Sequence, residues 1–324
     1  MTRRSVLIGT GSALPARLVT NAEMATIVDT NDEWIVERTG IRQRYIAGEG
    51  ETTASLSIAA ARKAIDAAGV DPASIDLIIV GTFTPDRIFP STACDVQHAI
   101  GANGGIAFDL SAACSGFLYG LGVADSMLKN GLASRALVIG GETLTRVLDW
   151  EDRATCVLFG DGAGAVVLEA RESDGSADEP GIIVTRLHAD GEHGHMLCLD
   201  GGPSTTGTVG KLRMKGKEVF KHAVTNLADV LNEVLDVAGI KAEDLDWVVP
   251  HQANKRILDS TAKKLGLPAE KVIVTVDQHA NTSAASVPLA LDAAIRDGRI
   301  KPGQLVMMEA MGGGFTWGAT LIRM

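Results

Sequence analysis

The sequence predicts an α/β fold made of two similar halves, and three observations support this. Short apolar runs alternate with helical segments, which is typical of sheets covered by helices. Hydrophobic residues make up 46% of the chain and charged residues 22%, as expected of a protein with a packed core. The second part of the chain repeats patterns of the first. A length of 324 residues suits one large domain or two of ordinary size.

The individual elements follow from local patterns. Residues 53–68 are rich in alanine and predict a helix, and residues 254–265 predict another. Short apolar runs bounded by turn residues predict buried strands at residues 75–80, 106–110, 135–140, 245–249, 272–276 and 304–308. Residues 171–211 are rich in Gly, Ser, Asp and Thr and predict a linker with long loops. The two halves are therefore predicted at residues 1–171 and 172–324.

The repeat rests on two pairs of segments. DAAGVDPASIDLII (residues 66–79) resembles DVAGIKAEDLDWVV (residues 236–249), an offset of 170 residues. VADSMLKNGL (residues 123–132) resembles ALDAAIRDGR (residues 290–299), an offset of 167 residues when their aspartates are aligned. Both pairs come in the same order, which indicates duplication and two halves packed about a pseudo-twofold axis.

The duplication predicts that three polar residues are neighbours. Extending the 167-residue offset makes Cys114 equivalent to Asn281, so each is expected at the start of the apolar helix of its half. The 170-residue offset puts His251 at the end of the strand equivalent to residues 75–80. In α/β folds, sites form at the carboxyl ends of strands and at the starts of helices.

Cys114 is the first candidate for chemistry. It lies in DLSAACSGF, before a segment so apolar up to Lys129 that a helix there would be buried on all sides. A thiol at a helix start faces free backbone N–H groups and the positive end of the dipole, which favours the thiolate and predicts a lowered pKa. The alternative is a packing cysteine, since a free cysteine is usually a small buried apolar group.

The other two candidates also have structural alternatives. His251 follows a strand in WVVPHQAN and is suited to acid–base work or hydrogen-bond donation, although a lone histidine there is more often structural. Asn281 in HANTSAASVP could cap a helix together with Thr282 and Ser283. His279, two residues before Asn281, could be mistaken for a catalytic group.

Charge and cysteine usage exclude several classes of protein. The net charge of −10 argues against general nucleic-acid binding, which needs a basic face. The apolar run near the N-terminus is broken by glycine, and no run approaches the roughly 18 apolar residues of a membrane span. We therefore expect a cytoplasmic protein that binds neither nucleic acid nor membrane. The scattered cysteines, Cys94, Cys114, Cys156 and Cys198, show no C-x-x-C spacing, so neither a zinc knuckle nor a dithiol redox site is predicted.

Two further motifs are rejected. His193, His195 and Cys198 lie in a glycine-rich segment without a fourth ligand at typical spacing, so no metal site is predicted. GDGAG at residues 160–164 looks like a phosphate loop, but the AVVLE after it predicts a strand and not the helix that such a loop requires.

Taken together, the motifs resemble a known family. DLSAACSGF at Cys114, HQAN at His251, NTSAASVP at Asn281 and the ending GGGFTWGATLIRM are similar to β-ketoacyl-[acyl-carrier-protein] synthase III. The resemblance runs from the opening GTGSALP to the C-terminus. It implies a thiolase-like fold, in which two duplicated halves form a layered αβαβα sandwich, assembled as a homodimer.

The resemblance also implies an activity and a role for each residue. An acyl-CoA primer, such as acetyl-CoA, would condense with malonyl-acyl carrier protein to give 3-oxoacyl-carrier protein, CoA and carbon dioxide, the first condensation of fatty acid synthesis, without a cofactor. Cys114 would take the acyl group, and His251 and Asn281 would hydrogen-bond the malonyl thioester carbonyl as decarboxylation turns it into an enolate. The backbone N–H groups of Cys114 and Gly313 would form a second oxyanion hole. A thiolate readily attacks a thioester carbonyl and is also a good leaving group. Neutral hydrogen-bond donors in a dry pocket stabilise the negative charge that develops on oxygen.

The same resemblance assigns binding residues. TNDEWIVERTGIRQR resembles a CoA-binding segment, which implies that Trp34 stacks on the adenine, Arg38 lies near the nucleotide phosphates and Arg153 covers the other adenine face. Phe89 and Met311 are predicted to line the substrate pocket. The family commonly carries phenylalanine at the position of Met311, and the flexible methionine leaves the primer preference open.

A basic cluster has a physical rationale of its own. Cationic residues crowd one short stretch and a second that follows His251: Lys211, Arg213, Lys215, Lys217, Lys221, Lys255, Arg256, Lys263 and Lys264. In a chain of net charge −10 this concentration predicts a positive patch that steers an acidic carrier protein, with Arg256, Lys221, Lys263 and Lys264 as its contacts. The alternative is a solvated helix face.

Three other interpretations stand beside this one. A sister enzyme of the same fold could prime a specialised polyketide or transfer acyl groups without condensation, and the sequence does not separate it. A papain-like hydrolase also uses Cys, His and Asn, but it is expected to be secreted and disulfide-bonded, with an early cysteine. A degenerate acyl-binding paralogue would have lost at least one of the three residues, and all three are present.

Overall fold

The computed structural model describes residues 2–324. Its strands are β1 (Thr2–Ala13), β2 (Arg17–Thr20), β3 (Gln43–Ile46), β4 (Leu77–Gly81), β5 (Ile106–Leu110), β6 (Arg135–Glu142), β7 (Gly162–Ser173), β8 (Gly181–Ala189), β9 (Leu197–Leu199), β10 (Leu212–Met214), β11 (Trp247–Pro250), β12 (Leu305–Gly312) and β13 (Thr316–Arg323). Its α-helices are α1 (Asn21–Met24), α2 (Asp32–Thr39), α3 (Thr53–Ala68), α4 (Thr92–Ile100), α5 (Gly116–Lys129), α6 (Arg153–Cys156), α7 (Gly216–Ala238), α8 (Lys255–Lys264), α9 (Val276–His279) and α10 (Ser286–Arg296). Short 3-10 turns cover Pro72–Ser74, Ala113–Ser115, Leu144–Val147, Gly191–Met196, Ala242–Asp244, Ala269–Lys271 and Ser283–Ala285.

Two sheets with the same strand order organise the chain. The first has the order β1-β7-β6-β4-β5, and the second has the order β8-β13-β12-β11. Strand β4 pairs in parallel with β6, as β11 does with β12, and β4 also pairs in parallel with the edge strand β5. The remaining pairs of both sheets are antiparallel. In the second sheet, an isolated parallel bridge between Val272 and Val248 of β11 occupies the position that β5 occupies in the first sheet. The predicted duplication is therefore visible in the topology.

Three layers of helices enclose the two sheets. Helices α5 and α10 lie between the sheets, where Phe117 and Leu291 share one core with Ile79 of the first sheet and Met308 of the second. Helices α3 and α4 cover the outer face of the first sheet, and α7 and α8 cover the outer face of the second. Fully burying a side chain such as Phe117 contributes about 1.5–3 kcal/mol, so the central layer is a major source of stability. The predicted αβαβα arrangement is confirmed.

The alanine-rich composition of α3 follows from how closely it packs on β1. A Cβ atom placed at Gly11 would lie 2.4 Å from both the Ala60 carbonyl oxygen and the Ala64 backbone nitrogen. Small residues on both elements are therefore required by the close approach of the two backbones. The helix begins at a capping box formed by Thr52 and Ser55 and ends at Gly69, as predicted for residues 53–68.

Two matching bends fix the correspondence between the halves. Ala113 (φ 46°) and Ser283 (φ 52°) adopt the left-handed backbone that favours glycine, and each begins the 3-10 turn that leads into a central helix. They lie 170 residues apart, as do the starts of β6 and β12. Helix α5 has 14 residues and α10 has 11, so the offset falls to 167 only within and just after the shorter helix. Cys114 is therefore equivalent to Ala284, and its predicted equivalence to Asn281 is wrong.

Most other predicted elements are confirmed, and two are not. The strand at residues 106–110 is found with the predicted bounds. The helix predicted at residues 254–265 is α8, which is one residue shorter at each end, and the remaining strands shift by one to four residues at an end. Residues 171–211 are not a linker, because β7 runs to Ser173 and residues 181–189 form β8, the edge strand of the second sheet. The segments on both sides of this half-buried strand are rich in Gly and Asp, so the composition of the whole region predicted loops.

The predicted strand at residues 272–276 is reduced to a single bridge. Ile273 donates its backbone N–H to the Val248 carbonyl, but the side-chain oxygen of Gln252 then accepts hydrogen bonds from Thr275 and Val276, and α9 begins there. A buried glutamine side chain thus takes the place of a neighbouring strand. Across residues 2–324, no helix combines the length and apolar character needed to cross a bilayer.

Candidate active site

A cavity of about 860 Å³ brings the three predicted catalytic residues together. Cys114, His251 and Asn281 all line it, and each is less than one tenth exposed. They come from three different segments: the turn before α5, the end of β11 and the segment before α10. The expectation that strand ends and helix starts would meet at one site is therefore borne out in the geometry.

Cys114 lies in the 3-10 turn between β5 and α5. The left-handed backbone of Ala113 turns the chain sharply after the strand, and the Ser283 hydroxyl donates a hydrogen bond to the Cys114 sulphur at 3.4 Å. The pKa of the Cys114 thiol is raised to about 11, mainly by burial and in smaller part by the Glu142 carboxyl, although hydrogen bonds from Ser283 and from the Cys114 backbone N–H act to lower it. The predicted lowering of this pKa is wrong, because loss of water around the sulphur outweighs the donors that face it.

His251 is held by both its backbone and its ring. Its backbone N–H donates to the Glu309 carbonyl at 2.7 Å, which continues the pairing of β11 with β12. Its Nδ1 lies 2.5 Å from the Ser286 hydroxyl, which also accepts the Gln252 backbone N–H at 3.3 Å. The Ser286 hydroxyl accepts this hydrogen bond from the backbone and can donate its own proton to Nδ1. This favours the tautomer with hydrogen on Nε2, the nitrogen that can donate into the cavity.

Burial also fixes the charge of His251. It lowers the pKa of the imidazole to about 3, so the ring is neutral near pH 7. A neutral imidazole with hydrogen on Nε2 is a hydrogen-bond donor and not a cation. His279 is half-buried beside Tyr45 and is not among the residues that line the cavity.

Asn281 is oriented by the chain on both sides of it. Its backbone N–H donates to the Leu158 carbonyl and its carbonyl accepts from Gly160, both at 3.0 Å. Its Oδ1 accepts the Ser283 backbone N–H at 2.9 Å. Only the amide oxygen can accept that hydrogen bond, so the amide nitrogen is the part of Asn281 left to serve the cavity as a donor.

The glycine run at residues 312–314 allows two backbones to meet at the thiol. A Cβ atom placed at Gly312 would lie 2.4 Å from the backbone nitrogen of Cys114, so a larger residue does not fit. Gly313 follows, and both Gly313 and Cys114 line the cavity. The two residues of the predicted second oxyanion hole thus face the same cavity.

The mouth of the cavity carries an aromatic ring and arginines. Trp34 and Arg38 of α2 line it together with Asn254 and Arg256 at the start of α8. The guanidinium carbon atoms of Arg38 and Arg153 each lie 4.9 Å from the centroid of the Trp34 ring. Arg153 contacts the face of Trp34 directly and is about half exposed, so it must swing outward before a flat ring can stack between them.

The predicted basic patch divides into two parts. Arg256 lies at the mouth with its guanidinium 5.8 Å from the Phe220 ring, and the exposed Lys221 is the next residue along α7. Lys263 and Lys264 lie at the opposite end of α8, about 12 Å along a helix that rises 1.5 Å per residue, and Lys264 pairs with Asp229. Arg256 therefore lines the cavity, and Lys221 is the residue of α7 that follows the lining residue Phe220.

The sequence matches a known protein family. Residues 108–191 match the family described as 3-oxoacyl-[acyl-carrier-protein] synthase III, and residues 235–324 match its C-terminal region. The chain is 72% identical over 324 residues to the β-ketoacyl-[acyl-carrier-protein] synthase III of Novosphingobium aromaticivorans, with all of both chains covered. The chain belongs to the 3-oxoacyl-[acyl-carrier-protein] synthase III family.

Other members of the synthase III family agree with this. The enzyme of Erythrobacter litoralis is 69% identical, with 99% of each chain covered. The crystal structure of the Aquifex aeolicus synthase III superposes with a TM-score of 0.93 at 50% identity and covers 99% of this chain and 100% of its own. The thiolase-like fold, the enzymatic function and the place at the start of fatty acid biosynthesis, all predicted from the motifs, are confirmed.

A polyketide enzyme is also among the structural neighbours of this synthase III. The priming β-ketosynthase of the R1128 polyketide pathway has a TM-score of 0.92 at 39% identity and covers 97% of its own chain. The fold alone therefore does not separate fatty acid priming from polyketide priming. The much higher identity to curated synthases III favours the former.

The apolar part of the synthase III cavity includes one predicted pocket residue and lacks another. Met311 is buried at the cavity wall and packs with Ala223 and Leu227 of α7. Phe89 is 84% exposed and lies outside the cavity of its own chain, because the segment before α4 projects from the surface. The prediction that Phe89 lines this pocket is therefore not supported within a single chain. Phe83, which was not predicted, lines the cavity instead.

Three positioning residues could not be identified from the sequence. Gln252 joins β11 to the segment before Asn281 through hydrogen bonds at both ends of its amide, Ser286 contacts the His251 ring, and Ser283 contacts Cys114 and Asn281. The only indication of their importance in the sequence was that they lie within the motifs HQAN and NTSAASVP. Ser283 and Thr282, which were considered as helix caps, make no capping hydrogen bond to α10.

One group of potential metal ligands differs from the group rejected on sequence. Asp190, Glu192 and His193 each place a ligand atom within 4.8 Å of the others. Asp190 already accepts the Glu192 backbone N–H, and the His193 ring packs against His222 and Phe315. These contacts account for the cluster as a local turn, and we assign no metal to it.

Proposed function

We propose that this synthase III uses Cys114 as its nucleophile and His251 with Asn281 as the donors for the enolate. The supporting observation is the convergence on one cavity of a thiol and two side chains whose neutral donor atoms are fixed by their partners. Neutral donors suit an oxygen on which negative charge develops only during the reaction. Thiol, imidazole and amide supply every step below, so the proposed mechanism needs no cofactor.

In the first half-reaction, Cys114 takes the acyl group from acyl-CoA. The sulphur attacks the thioester carbonyl, the new carbon–sulphur bond forms, and the bond to CoA breaks. The proton lost by Cys114 leaves on the CoA sulphur. The backbone N–H groups of Cys114 and Gly313 stabilise the oxygen of the tetrahedral intermediate.

In the second half-reaction, malonyl-carrier protein loses carbon dioxide in the same cavity. The bond between the carboxylate carbon and the α-carbon of the malonyl group breaks and leaves an enolate. The enolate oxygen accepts hydrogen bonds from His251 and Asn281. The enolate carbon attacks the acyl carbon on Cys114, the thioester bond breaks, and the sulphur takes up a proton that comes from solvent. The product is 3-oxoacyl-carrier protein.

CoA is proposed to enter past Trp34. The ring and the flanking Arg38 and Arg153 place one flat apolar surface and two cations at the mouth, which suits a purine and its phosphates. Arg153 would leave Trp34 to cover the far face of the adenine. The carrier protein is proposed to bind the basic patch next to this entrance.

A homodimer is proposed to form along β5. This strand is the edge of the first sheet, and Ile106 on it is 39% exposed. Asp109 of β5 accepts the first backbone N–H groups of α4, which brings the exposed segment with Ile88 and Phe89 beside the same edge. An open strand edge beside exposed apolar residues favours pairing with a second chain. In such a dimer Phe89 would face the partner, where it could still contact substrate.

The experiment that tests the residue roles separates the two half-reactions. His251→Ala and Asn281→Ala should still accept radiolabel from acetyl-CoA but lose malonyl decarboxylation by roughly 100-fold or more, because each removes a donor to the enolate. Cys114→Ala should lose the label and keep some decarboxylation. Labelling of the protein and release of carbon dioxide are measured separately. The roles are wrong if Asn281→Ala loses acylation and keeps decarboxylation.

A further inference from the structure

The hydroxyl of Ser283 contacts the reacting sulphur. It donates to Cys114 at 3.4 Å, and among the side chains of residues 2–324 it is the one that hydrogen-bonds this sulphur. Ser283 is fully buried, so water does not compete for the hydroxyl. A donor at this position stabilises sulphur only when the sulphur carries negative charge.

No cation replaces this hydroxyl beside the sulphur. The titratable groups that face Cys114 are His251, which burial keeps neutral, and Glu142, whose pKa burial raises to about 8 and whose negative charge disfavours a thiolate. Arg38 and Arg256 lie at the mouth of the same cavity. A thiolate at Cys114 therefore depends on short-range donors, of which Ser283 is the side-chain member.

The backbone of Ser283 shows that its side chain is not needed for the turn. Ser283 has a φ of 52°, a left-handed conformation that is strained for a non-glycine residue. The equivalent bend of the first half has the same conformation with an alanine, Ala113 at φ 46°. The fold therefore accepts a methyl group at such a bend, and the hydroxyl has another use.

We propose that Ser283 is a further catalytic residue, whose hydroxyl stabilises the Cys114 thiolate both as nucleophile and as leaving group. In acylation it assists the sulphur that attacks acyl-CoA. In condensation it assists the same sulphur as the acyl carbon–sulphur bond breaks. Decarboxylation leaves the sulphur uncharged and does not use the hydroxyl. This inference rests on the proposed role of Cys114.

The test measures the thiol without any substrate. Ser283→Ala should move the pH profile of Cys114 alkylation by iodoacetamide upward by about one pH unit, which is a tenfold slower reaction at any pH below the pKa. Peptide mass spectrometry assigns the label to Cys114, since the exposed Cys198 also reacts. Ser283→Gly, which suits the left-handed backbone and also lacks the hydroxyl, should behave like Ser283→Ala.

The matched control is the neighbouring buried hydroxyl. Thr282 makes no side-chain hydrogen bond in residues 2–324, so Thr282→Val should keep the wild-type alkylation profile. Ser283→Ala should also keep decarboxylation within about twofold, because the backbone N–H that orients Asn281 remains. An unchanged alkylation profile, an equal shift in Thr282→Val, or an equal loss of decarboxylation would each overturn the proposal. Alkylation uses neither CoA nor carrier protein, so its outcome does not depend on the identity of the primer.

Discussion

Burial shifts the pKa values of the two titratable residues of the site in opposite directions. It raises the pKa of the Cys114 thiol to about 11 and lowers the pKa of His251 to about 3, so both are neutral near pH 7. A papain-like hydrolase works instead with a thiolate paired to a charged histidine, which gives its cysteine a low pKa. The same residue types thus serve different chemistry here, because the surroundings favour neutral hydrogen-bond donors.

The neutral state of His251 predicts the pH dependence of decarboxylation. A donor whose pKa lies near 3 keeps its form as the pH falls through the ordinary histidine value of about 6.5. Carbon dioxide release by Cys114→Ala should therefore show no inflection there. The measurement is the rate of release from malonyl-carrier protein across that range. An acidic limb centred near the ordinary value would show that His251 titrates in water-like surroundings.

Ser286 should control the tautomer of His251. Removing its hydroxyl in Ser286→Ala leaves Nδ1 without its donor, so a share of the rings would carry hydrogen on the wrong nitrogen. Decarboxylation should fall by roughly tenfold, less than the loss from removing the imidazole itself, while acylation of Cys114 stays near normal. Ser286→Thr keeps a hydroxyl and should retain more activity. Equal losses in both variants would point to packing and not to the hydrogen bond.

The roles of single residues were only partly predictable. Cys114, His251 and Asn281 stand out because each is a reactive or polar residue beside a buried strand or helix. The partners Gln252, Ser283 and Ser286 are ordinary residue types, and their roles depend on contacts between segments far apart in sequence. The pKa of Cys114 was predicted with the wrong sign because a helix start is visible in a sequence, whereas the extent of burial around one sulphur is not.

At the scale of elements, residues near the starts of α7 and α8 line the cavity. Arg256 lies one residue after the first residue of α8, and its guanidinium lies over Phe220 of α7. The Asn254 side chain accepts hydrogen bonds from the backbone N–H groups of Arg256 and Ile257, which caps the start of α8. Any partner that delivers a substrate arm into the cavity therefore meets this pair of helices first.

The position of each cation predicts its share in carrier binding. Arg256→Ala or Lys221→Ala should raise the Michaelis constant for malonyl-carrier protein roughly two- to fivefold, while acylation by acetyl-CoA stays near normal. Lys264→Ala is the matched control, because Lys264 lies at the far end of α8 and pairs with Asp229. Added salt should weaken carrier binding more in the wild type than in Arg256→Ala. Equal effects of all three substitutions would contradict a docking site centred on the mouth.

Elements with strong local patterns were predicted well, and irregular ones were not. The helix at residues 53–68 has a capping pair, a terminal glycine and a regular alanine face, and it was found with its predicted bounds. Strand β8 is half-buried at a sheet edge and flanked by glycine-rich turns, so its composition resembled a loop. The strand expected at residues 272–276 was lost to a side-chain interaction of Gln252 that no local pattern encodes.

At the scale of the whole molecule, the interior holds an ionisable side chain that burial keeps neutral in the folded state. Glu309 on β12 is about 1% exposed, its Oε2 lacks a hydrogen-bond partner in residues 2–324, and burial raises its pKa to about 8. Its side chain points to the same face of the sheet as Met307 and Met311, because alternate residues of a strand share a face. A protonated carboxyl is therefore the form that fits the apolar outer layer.

Glu309 should make stability depend on pH. A carboxyl with a folded pKa of about 8 and an ordinary unfolded value of 4.5 keeps a proton in the native state that the unfolded chain has lost. Its contribution is complete below the unfolded value and is lost as the pH rises through the folded one, at about 1.4 kcal/mol per pH unit. Glu309→Gln keeps the shape without the titration, so its melting temperature relative to the wild type should rise with pH across this window. A constant difference in melting temperature would show that Glu309 titrates normally.

The contact between the two matching bends has a consequence for how such a chain evolves. The bend at Ala113 and the bend at Ser283 touch at the centre of the molecule, where Ser283 reaches the sulphur of Cys114 and Ala284 lies 3.4 Å from the position of a Cβ atom at Gly116. When a half-length ancestor pairs with itself, the same two bends meet on its symmetry axis and carry identical residues. Joining the copies in one gene lets each bend acquire its own mutations. The position equivalent to Cys114 is Ala284, so the two matching bends differ and a cysteine is present at only one of them.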